Sequence, residues 1–312
     1  MRAIGYTQHG GIDQLEVMDR PKPRVFWGQI LVEVHSIALN PLDYKFRRGW
    51  MGPDLLFGPR ITGCDFAGTV RRVGPGVHHL SEGDRVMGMS RYGTAAQWIA
   101  VRAGKVVKVP DTMDMSTAAT VPLVALTAYQ IIHDRLRVKP DQHLLVHGAS
   151  GGVGSYVVQL ALLAGARVTT VSSHRNTEWL SSIGAHEVLD YEQIDCCAGP
   201  QRYDAFIDCY GNKSLEQTRN VLKDDGVYLT VEPFPGAFID PVLNLGRRPR
   251  GMVVVVQNKP LQLEDVCHMI TDGTVQSVVQ QVFSATEIHA AFEQLETHHT
   301  RGKFAVRIFG EL

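Results

Sequence analysis

Between His143 and Gly165 the chain passes from an apolar run, Leu144-Leu145-Val146, through Gly148, Gly151, Gly152 and Gly154 into an unbroken apolar stretch. Few folds accept that order. The run reads as a buried strand and the glycines as a tight turn, while residues 153–164 read as a helix apolar nearly all round (Val153, Val157, Val158, Leu160, Ala161, Leu162, Leu163). Such a helix belongs against a parallel sheet. Gly165 stands where a left-handed cap would end it. Residues 167–171 follow as a second strand, so the segment opens a βαβ unit.

The amides that open a helix lack intrahelical acceptors and sit at the positive end of its dipole, which suits a pyrophosphate provided no Cβ holds it off. Gly151 and Gly154 fit the second and third glycines of G-x-G-x-x-G, with Ala149 at the first. Ser150, Gly151, Gly152, Val153 and Gly154 are therefore candidate phosphate contacts. An acidic residue some twenty positions further on would bind the ribose 2'-hydroxyl of NAD and repel a 2'-phosphate. The chain instead reads Ser172-Ser173-His174-Arg175-Asn176, with hydroxyls and a guanidinium suited to a phosphate. NADPH is favoured, with Ser172, Ser173, Arg175 and Asn176 as contacts. Arg175 alone also fits a solvated helix start, so the missing acid carries the inference.

With 312 residues and 44% apolar content the chain can bury two cores. A net charge of -1 gives no reason to expect nucleic acid or an anionic membrane as partner. Neither a leader-like start nor a membrane-length apolar run is evident, so a soluble, cytoplasmic protein is expected. The five cysteines are scattered and odd in number, unlike a disulfide framework; the vicinal Cys196 and Cys197 read as ordinary loop or core thiols rather than a redox pair.

Three zones emerge. Short β segments and turns fill residues 1–121, with strands expected near 30–35, 68–73, 84–87, 97–101 and 106–109. Residues 122–257 alternate strand and helix, with strands near 144–147, 167–171, 187–189, 205–208, 227–231 and 252–256. Six such strands predict an α/β, doubly wound parallel sheet. Residues 258–312 are mixed, and their closing strands suggest a return to the first domain.

Several motifs recur in one family's order: Asn40-Pro41-Leu42-Asp43, Gly63-Cys64-Asp65-Phe66-Ala67-Gly68, Val73-Gly74 with Gly83-Asp84-Arg85-Val86, Ala118-Ala119, Leu126-Thr127-Ala128-Tyr129, the glycine turn and Gly302-Lys303. Together they resemble the medium-chain dehydrogenase/reductases, in the zinc-independent quinone oxidoreductase branch that includes zeta-crystallin. The resemblance implies a GroES-like β-rich catalytic domain (1–121, completed by 258–312), a Rossmann NADPH domain (122–257) and a cofactor in the cleft between them. It places Asn40, Asp43 and Tyr44 on the substrate side, and Thr127 with Tyr129 along the nicotinamide pocket, so Asn40, Asp43, Tyr44 and Thr127 are the candidate catalytic residues. Tyr44 fits a packed aromatic equally well, and Thr127 could be plain core. Tyr191 would join the 2'-phosphate site, Asp208, Gly211, Val231 and Phe234 would line the cofactor at strand ends, and Lys303 would stand near it or be solvated.

Zinc-dependent relatives need three soft or borderline ligands, whereas the matching positions here hold Asn40, Cys64 and approximately Leu123. No cysteine lies between Ser81 and Val101 to build a structural zinc lobe. His78-His79 and His298-His299 fit exposed turns, so no metal is expected. Without a Lewis acid, an acceptor that spreads arriving electrons onto oxygen is favoured: a quinone or a related conjugated carbonyl. An enal, enone or enoyl-thioester reductase is the enzymatic alternative, and a catalytically idle NADPH-binding crystallin-like or interaction protein the non-enzymatic one. Arg48-Gly49 is followed by Trp50-Met51 where relatives carry a tyrosine, and Tyr92-Gly93-Thr94-Ala95 is short, which predicts an apolar, open entrance. Residues 251–256 form a β-prone end strand that the resemblance pairs across a two-fold axis, predicting a homodimer.

Overall fold

The computed structural model describes residues 1–52, 58–232 and 249–312; Phe234, with its neighbours Pro233 and Pro235, lies outside them. The described chain divides into two compact units, Met1–Leu123 with Asn258–Leu312 and Val124–Gln257.

The first unit is β-rich. Its larger sheet contains β3 (Gln29–Ala38), β5 (Asp65–Val73), β6 (Arg85–Met89), β7 (Trp98–Arg102), β8 (Val106–Lys108), β15 (Val279–Ser284) and β16 (Lys303–Arg307). The order is β15-β16-β3-β5-β6-β8, with β7 also pairing β3. β16 returns antiparallel to β3, Ala305 opposite Ala38, so the C-terminal strands complete a sheet begun near the N-terminus. Ile30, Val32, Val34, Phe66, Val86 and Phe304 fill the core beneath it. Helix α8 (Ile288–Glu296) turns Ile288, Ala291, Phe292 and Leu295 inward at helical spacing. A second sheet, β2-β1-β4, joins β1 (Arg2–Tyr6), β2 (Glu16–Asp19) and β4 (Arg60–Ile61). These three strands escape the sequence pattern for physical reasons. β4 has two residues, and β1 contains Gly5, where a Cβ would lie 2.0 Å from the Arg60 carbonyl oxygen.

The second unit holds six strands: β9 (His143–His147), β10 (Arg167–Ser172), β11 (Glu187–Asp190), β12 (Tyr203–Asp208), β13 (Leu222–Thr230) and β14 (Arg250–Val253). All neighbouring pairs are parallel, in the order β11-β10-β9-β12-β13-β14. This is the predicted doubly wound Rossmann sheet. Its order reverses between β9 and β12, and ligands of such sheets bind where the order reverses. The glycine turn follows β9 directly. Helix α4 (Gly152–Leu163) buries every residue from Gly154 to Ala161, which explains its lack of a polar face. The last strand corrects one expectation: it ends at Val253 rather than running to Val256, because its partner β13 ends at Thr230, opposite Val253.

Candidate functional site

In the second unit the glycine turn is shaped first by its own backbone. Gly148 has φ +71°, and a Cβ there would lie 3.0 Å from the Tyr210 amide nitrogen. A Cβ on Gly154 would lie 2.2 Å from the Gly148 carbonyl oxygen, so only glycine lets α4 start this close to β9. Gly151 differs. Its Cβ would meet nothing nearer than 3.4 Å, so packing does not demand a glycine at this N-cap. The bare wall it leaves is what an anion approaching the helix start requires. The first bond of α4 runs from the Ser155 amide to the Gly151 carbonyl, 2.9 Å, and the amides of Gly152, Val153 and Gly154 precede it.

Ser150, Ser172, Ser173, Arg175 and Asn176 converge at the C-terminal ends of β9 and β10. Ser172 Oγ donates to Ser150 Oγ at 2.9 Å, and Asn176 Nδ2 donates to Ser172 Oγ at 2.9 Å and Ser173 Oγ at 3.2 Å. Arg175 Nε donates to Ser173 Oγ at 3.2 Å and its side chain is exposed, while the other four are buried. The carboxylate nearest in register, Asp190 opposite Ser172, turns to its own loop, accepting the Glu192 amide at 3.1 Å and Gln193 Nε2 at 3.2 Å. Tyr191 is 45% exposed beside this group, its amide on the Ser172 carbonyl at 3.3 Å. Buried hydroxyls thus lie behind an exposed guanidinium.

Asp208 has another task. Fully buried, it accepts His147 Nδ1 at 2.9 Å and the amides of Gly211 and Lys213 at 2.8 and 2.9 Å, with the Tyr228 hydroxyl at 3.2 Å. Burial alone would push its carboxyl up, but the hydrogen bond and charge of His147 and these amides hold it below the usual range. It shapes the loop carrying Gly211 (φ +85°), where a Cβ would lie 2.5 Å from Glu232 Cβ. Val231 follows β13, its amide on the Asp208 carbonyl at 3.2 Å. Thr127 is buried in α3 (Pro122–Tyr129), which continues as a π-helical turn over Gln130–Leu136.

In the first unit, Asn40 and Asp43 open helix α1 (Pro41–Arg47) as a capping box, with Pro41 at its start. Asp43 Oδ2 accepts the Asn40 amide at 2.8 Å. Asn40 Nδ2 donates to Asp65 Oδ2 at 2.9 Å and the Ala38 carbonyl at 3.3 Å, while Asn40 Oδ1 accepts Lys303 Nζ at 2.5 Å. Lys303 also donates to the Leu39 carbonyl at 2.6 Å and stands 3.8 Å from Asp65 Oδ2, and Asp65 Oδ1 accepts the Leu123 amide at 2.9 Å. The three positions that correspond to zinc ligands, Asn40, Cys64 and Leu123, thus surround Asp65 and a buried ammonium. The acceptors suit that ammonium: an amide oxygen, a carbonyl and a carboxylate. Burial and the Asp43 charge push the Cys64 thiol well up, so it does not offer a thiolate.

Three of the candidate residues have buried surroundings. Asn40 is 1% exposed, and its side-chain nitrogen donates to Asp65 and Ala38. Tyr44 lies in the core cluster, edge-on to Trp50 and His298 at 6.3 and 6.0 Å between ring centres. Lys303 is buried rather than solvated, its ammonium held by Leu39 and Asn40. Sequence reading also passed over Asp65. The available signal was an acid inside the apolar stretch Gly63-Cys64-Asp65-Phe66-Ala67, since a buried carboxylate must find partners.

The family model for the alcohol dehydrogenase GroES-like domain matches residues 27–111, and that for a zinc-binding dehydrogenase matches residues 183–306. The chain is 30% identical to an NADPH-dependent alkenal/one oxidoreductase of Arabidopsis thaliana, over 98% of this chain and 79% of that protein. It is 29% identical to a chloroplast envelope quinone oxidoreductase homolog of the same plant, over 98% of each. Among solved structures it is similar to the quinone oxidoreductase from Coxiella burnetii, with a TM-score of 0.90, 29% identity and coverage of 98% of this chain and 99% of that one. The chain belongs to the medium-chain dehydrogenase/reductase superfamily, in its zeta-crystallin-like quinone oxidoreductase branch.

Proposed function

We propose that this protein is an NADPH-dependent oxidoreductase that delivers hydride to quinones or related conjugated carbonyls without a metal. One observation carries the reading. A bare-walled helix start adjoins a group of serines, an asparagine and an exposed arginine from which the Asp190 carboxylate turns away. Bound there, NADPH would supply the hydride from its nicotinamide. The amides of Gly152, Val153 and Gly154 would hold the pyrophosphate, with Ser150 beside them. Ser172, Ser173, Arg175 and Asn176 would hold the 2'-phosphate, with Tyr191 covering it. Asp208 sets the backbone of Gly211 and Val231, which would lie beside the cofactor, and Thr127 would line the nicotinamide side. On the acceptor side, Asn40, Asp43 and Lys303 position α1 and the residues after it.

The relatives bear names of two acceptor classes, quinone and alkenal/one. The burial of Tyr44, 3% exposed, favours the quinone, because reduction at carbon needs a proton delivered to the neighbouring carbon. The place of β14 at the end of the sheet among the described residues supports a homodimer through residues 251–256. Five free thiols support a cytoplasmic location, and among the described residues no helix is long and apolar enough to cross a membrane.

Cofactor oxidation followed with NADPH and with NADH, against matched panels of quinones and enones, tests this. Arg175→Ala should raise the KM for NADPH about tenfold, as loss of one charge-assisted contact implies, and leave that for NADH unchanged. Equal effects on the two cofactors would remove Arg175 from the phosphate site. No NADPH oxidation with any acceptor would leave the idle-binder alternative standing.

A further inference from the structure

The turn between β11 and β12 holds a side-chain group that hydride transfer does not use. Asp195, Cys196 and Cys197 bring a carboxylate oxygen and two sulfurs within 4.8 Å of one another. Successive backbone turns fold them together. The Ile194 amide bonds the Asp190 carbonyl at 2.9 Å, the Cys197 amide bonds Asp195 Oδ1 at 3.0 Å, and the Ala198 amide bonds the Asp195 carbonyl at 3.0 Å. Cys196 is rooted in the apolar cluster of Leu145, Tyr203 and Phe206, Cys197 is half-buried against it, and Asp195 is exposed. The group therefore has a fixed floor and an open mouth.

We propose that Asp195, Cys196 and Cys197 bind one thiophilic divalent cation of the zinc class, with its fourth position open to solvent. Tetrahedral zinc takes sulfur at about 2.3 Å and carboxylate oxygen at about 2.0–2.2 Å, which sets two bound sulfurs roughly 3.8 Å apart. Donors already within 4.8 Å need only a small inward shift. The set is wrong for calcium or magnesium, which demand six or more oxygens in all, and right for a borderline ion. Oxidation to a disulfide fits less well, since adjacent Cα atoms stand about 3.8 Å apart and disulfides ordinarily span about 4.4–6.8 Å. Binding forms two metal–sulfur bonds and one metal–oxygen bond and releases the thiol protons to water. This turn belongs to the second unit, whereas Asn40, Cys64 and Leu123 belong to the first.

Reduced, metal-stripped whole protein titrated with Cd2+, followed by the ultraviolet cadmium–thiolate band and by equilibrium dialysis, is the test, with Zn2+ as competitor. One Cd2+ per chain is expected, with a band sized for two sulfurs and displaced by Zn2+. Cys197→Ser should weaken binding at least 100-fold, and Asp195→Asn about tenfold with the band kept, on the scale by which metal sites respond to lost partners. Cys196 is in the core, so Cys197→Ser is the primary variant, and its unchanged melting without metal certifies the fold. An absent band, or one that survives Cys197→Ser undiminished, overturns the proposal, the latter by placing the ion at Cys64, Cys209 or Cys267.

Discussion

Lys303, Asn40, Asp65 and Asp43 form a buried polar chain in which an ammonium sits among a carbonyl, an amide oxygen and a carboxylate. Burial is the dominant influence on both acids. It raises the carboxyls of Asp43 and Asp65 to about 6, against the Asn40 bond to each and the charge of Lys303. A carboxyl with a raised folded pKa keeps its proton where the unfolded chain has released it, so folding takes up protons between roughly pH 4 and 6. The stability contributed by these groups is greatest below that window and declines as pH rises through it. Asp43→Asn preserves an acceptor for the Asn40 amide but cannot titrate. Its stability, measured by urea unfolding across this pH range, should fall less steeply than that of the wild type, by up to about 1.4 kcal/mol per pH unit. Parallel curves would mean that Asp43 is ionised throughout. These partnerships were only half legible. Asn40-Pro41 and Asp43 spell a helix start, but Lys303 arrives from the other end of the chain, and no local pattern announces that meeting.

At the scale of elements, α1 and α8 are joined by charge. Arg47 is fully buried and donates to Glu296 and to the Gly10 carbonyl, the latter at 3.0 Å, while Arg48 reaches the other oxygen of Glu296. Removing one partner of a buried pair costs far more than the pair contributes, because the remaining charge stays desolvated. Glu296→Gln should therefore destabilise the protein by about 3–5 kcal/mol, read as a lowered urea midpoint with unchanged slope. A loss under about 1 kcal/mol would show that solvent reaches Arg47 and that the pair behaves as a surface bridge. Helices were readable where burial imposed a period, as in α8, or abolished one, as in α4. β14 was readable in kind but displaced in position, since valine propensity extends to Val256 while the ladder stops with its neighbour.

At the scale of the whole molecule, β14 has one neighbour in its sheet among the described residues, and Val255 just beyond it is 56% exposed. Such an edge ordinarily requires cover. Sedimentation should give twice the 34.5 kDa chain mass, and Val255→Lys should shift the population to monomer by placing like charges on both sides of the two-fold. A monomeric wild type, or a variant that still dimerises fully, refutes the pairing through this strand.

The glycine pattern, the apolar helix behind it and the serines after the second strand were enough, taken alone, to determine a doubly wound sheet and the dinucleotide it suits. Those features are local, governed by backbone space, helix period and the charge at one strand end. Tertiary structure decided what no local rule reaches. It joined Asn40 to Asp65 and Lys303, gave Asp208 the loop amides, and folded two ordinary-looking cysteines beside a carboxylate. A buried polar side chain takes its role from the partners that satisfy it, and those partners come from wherever the fold brings them.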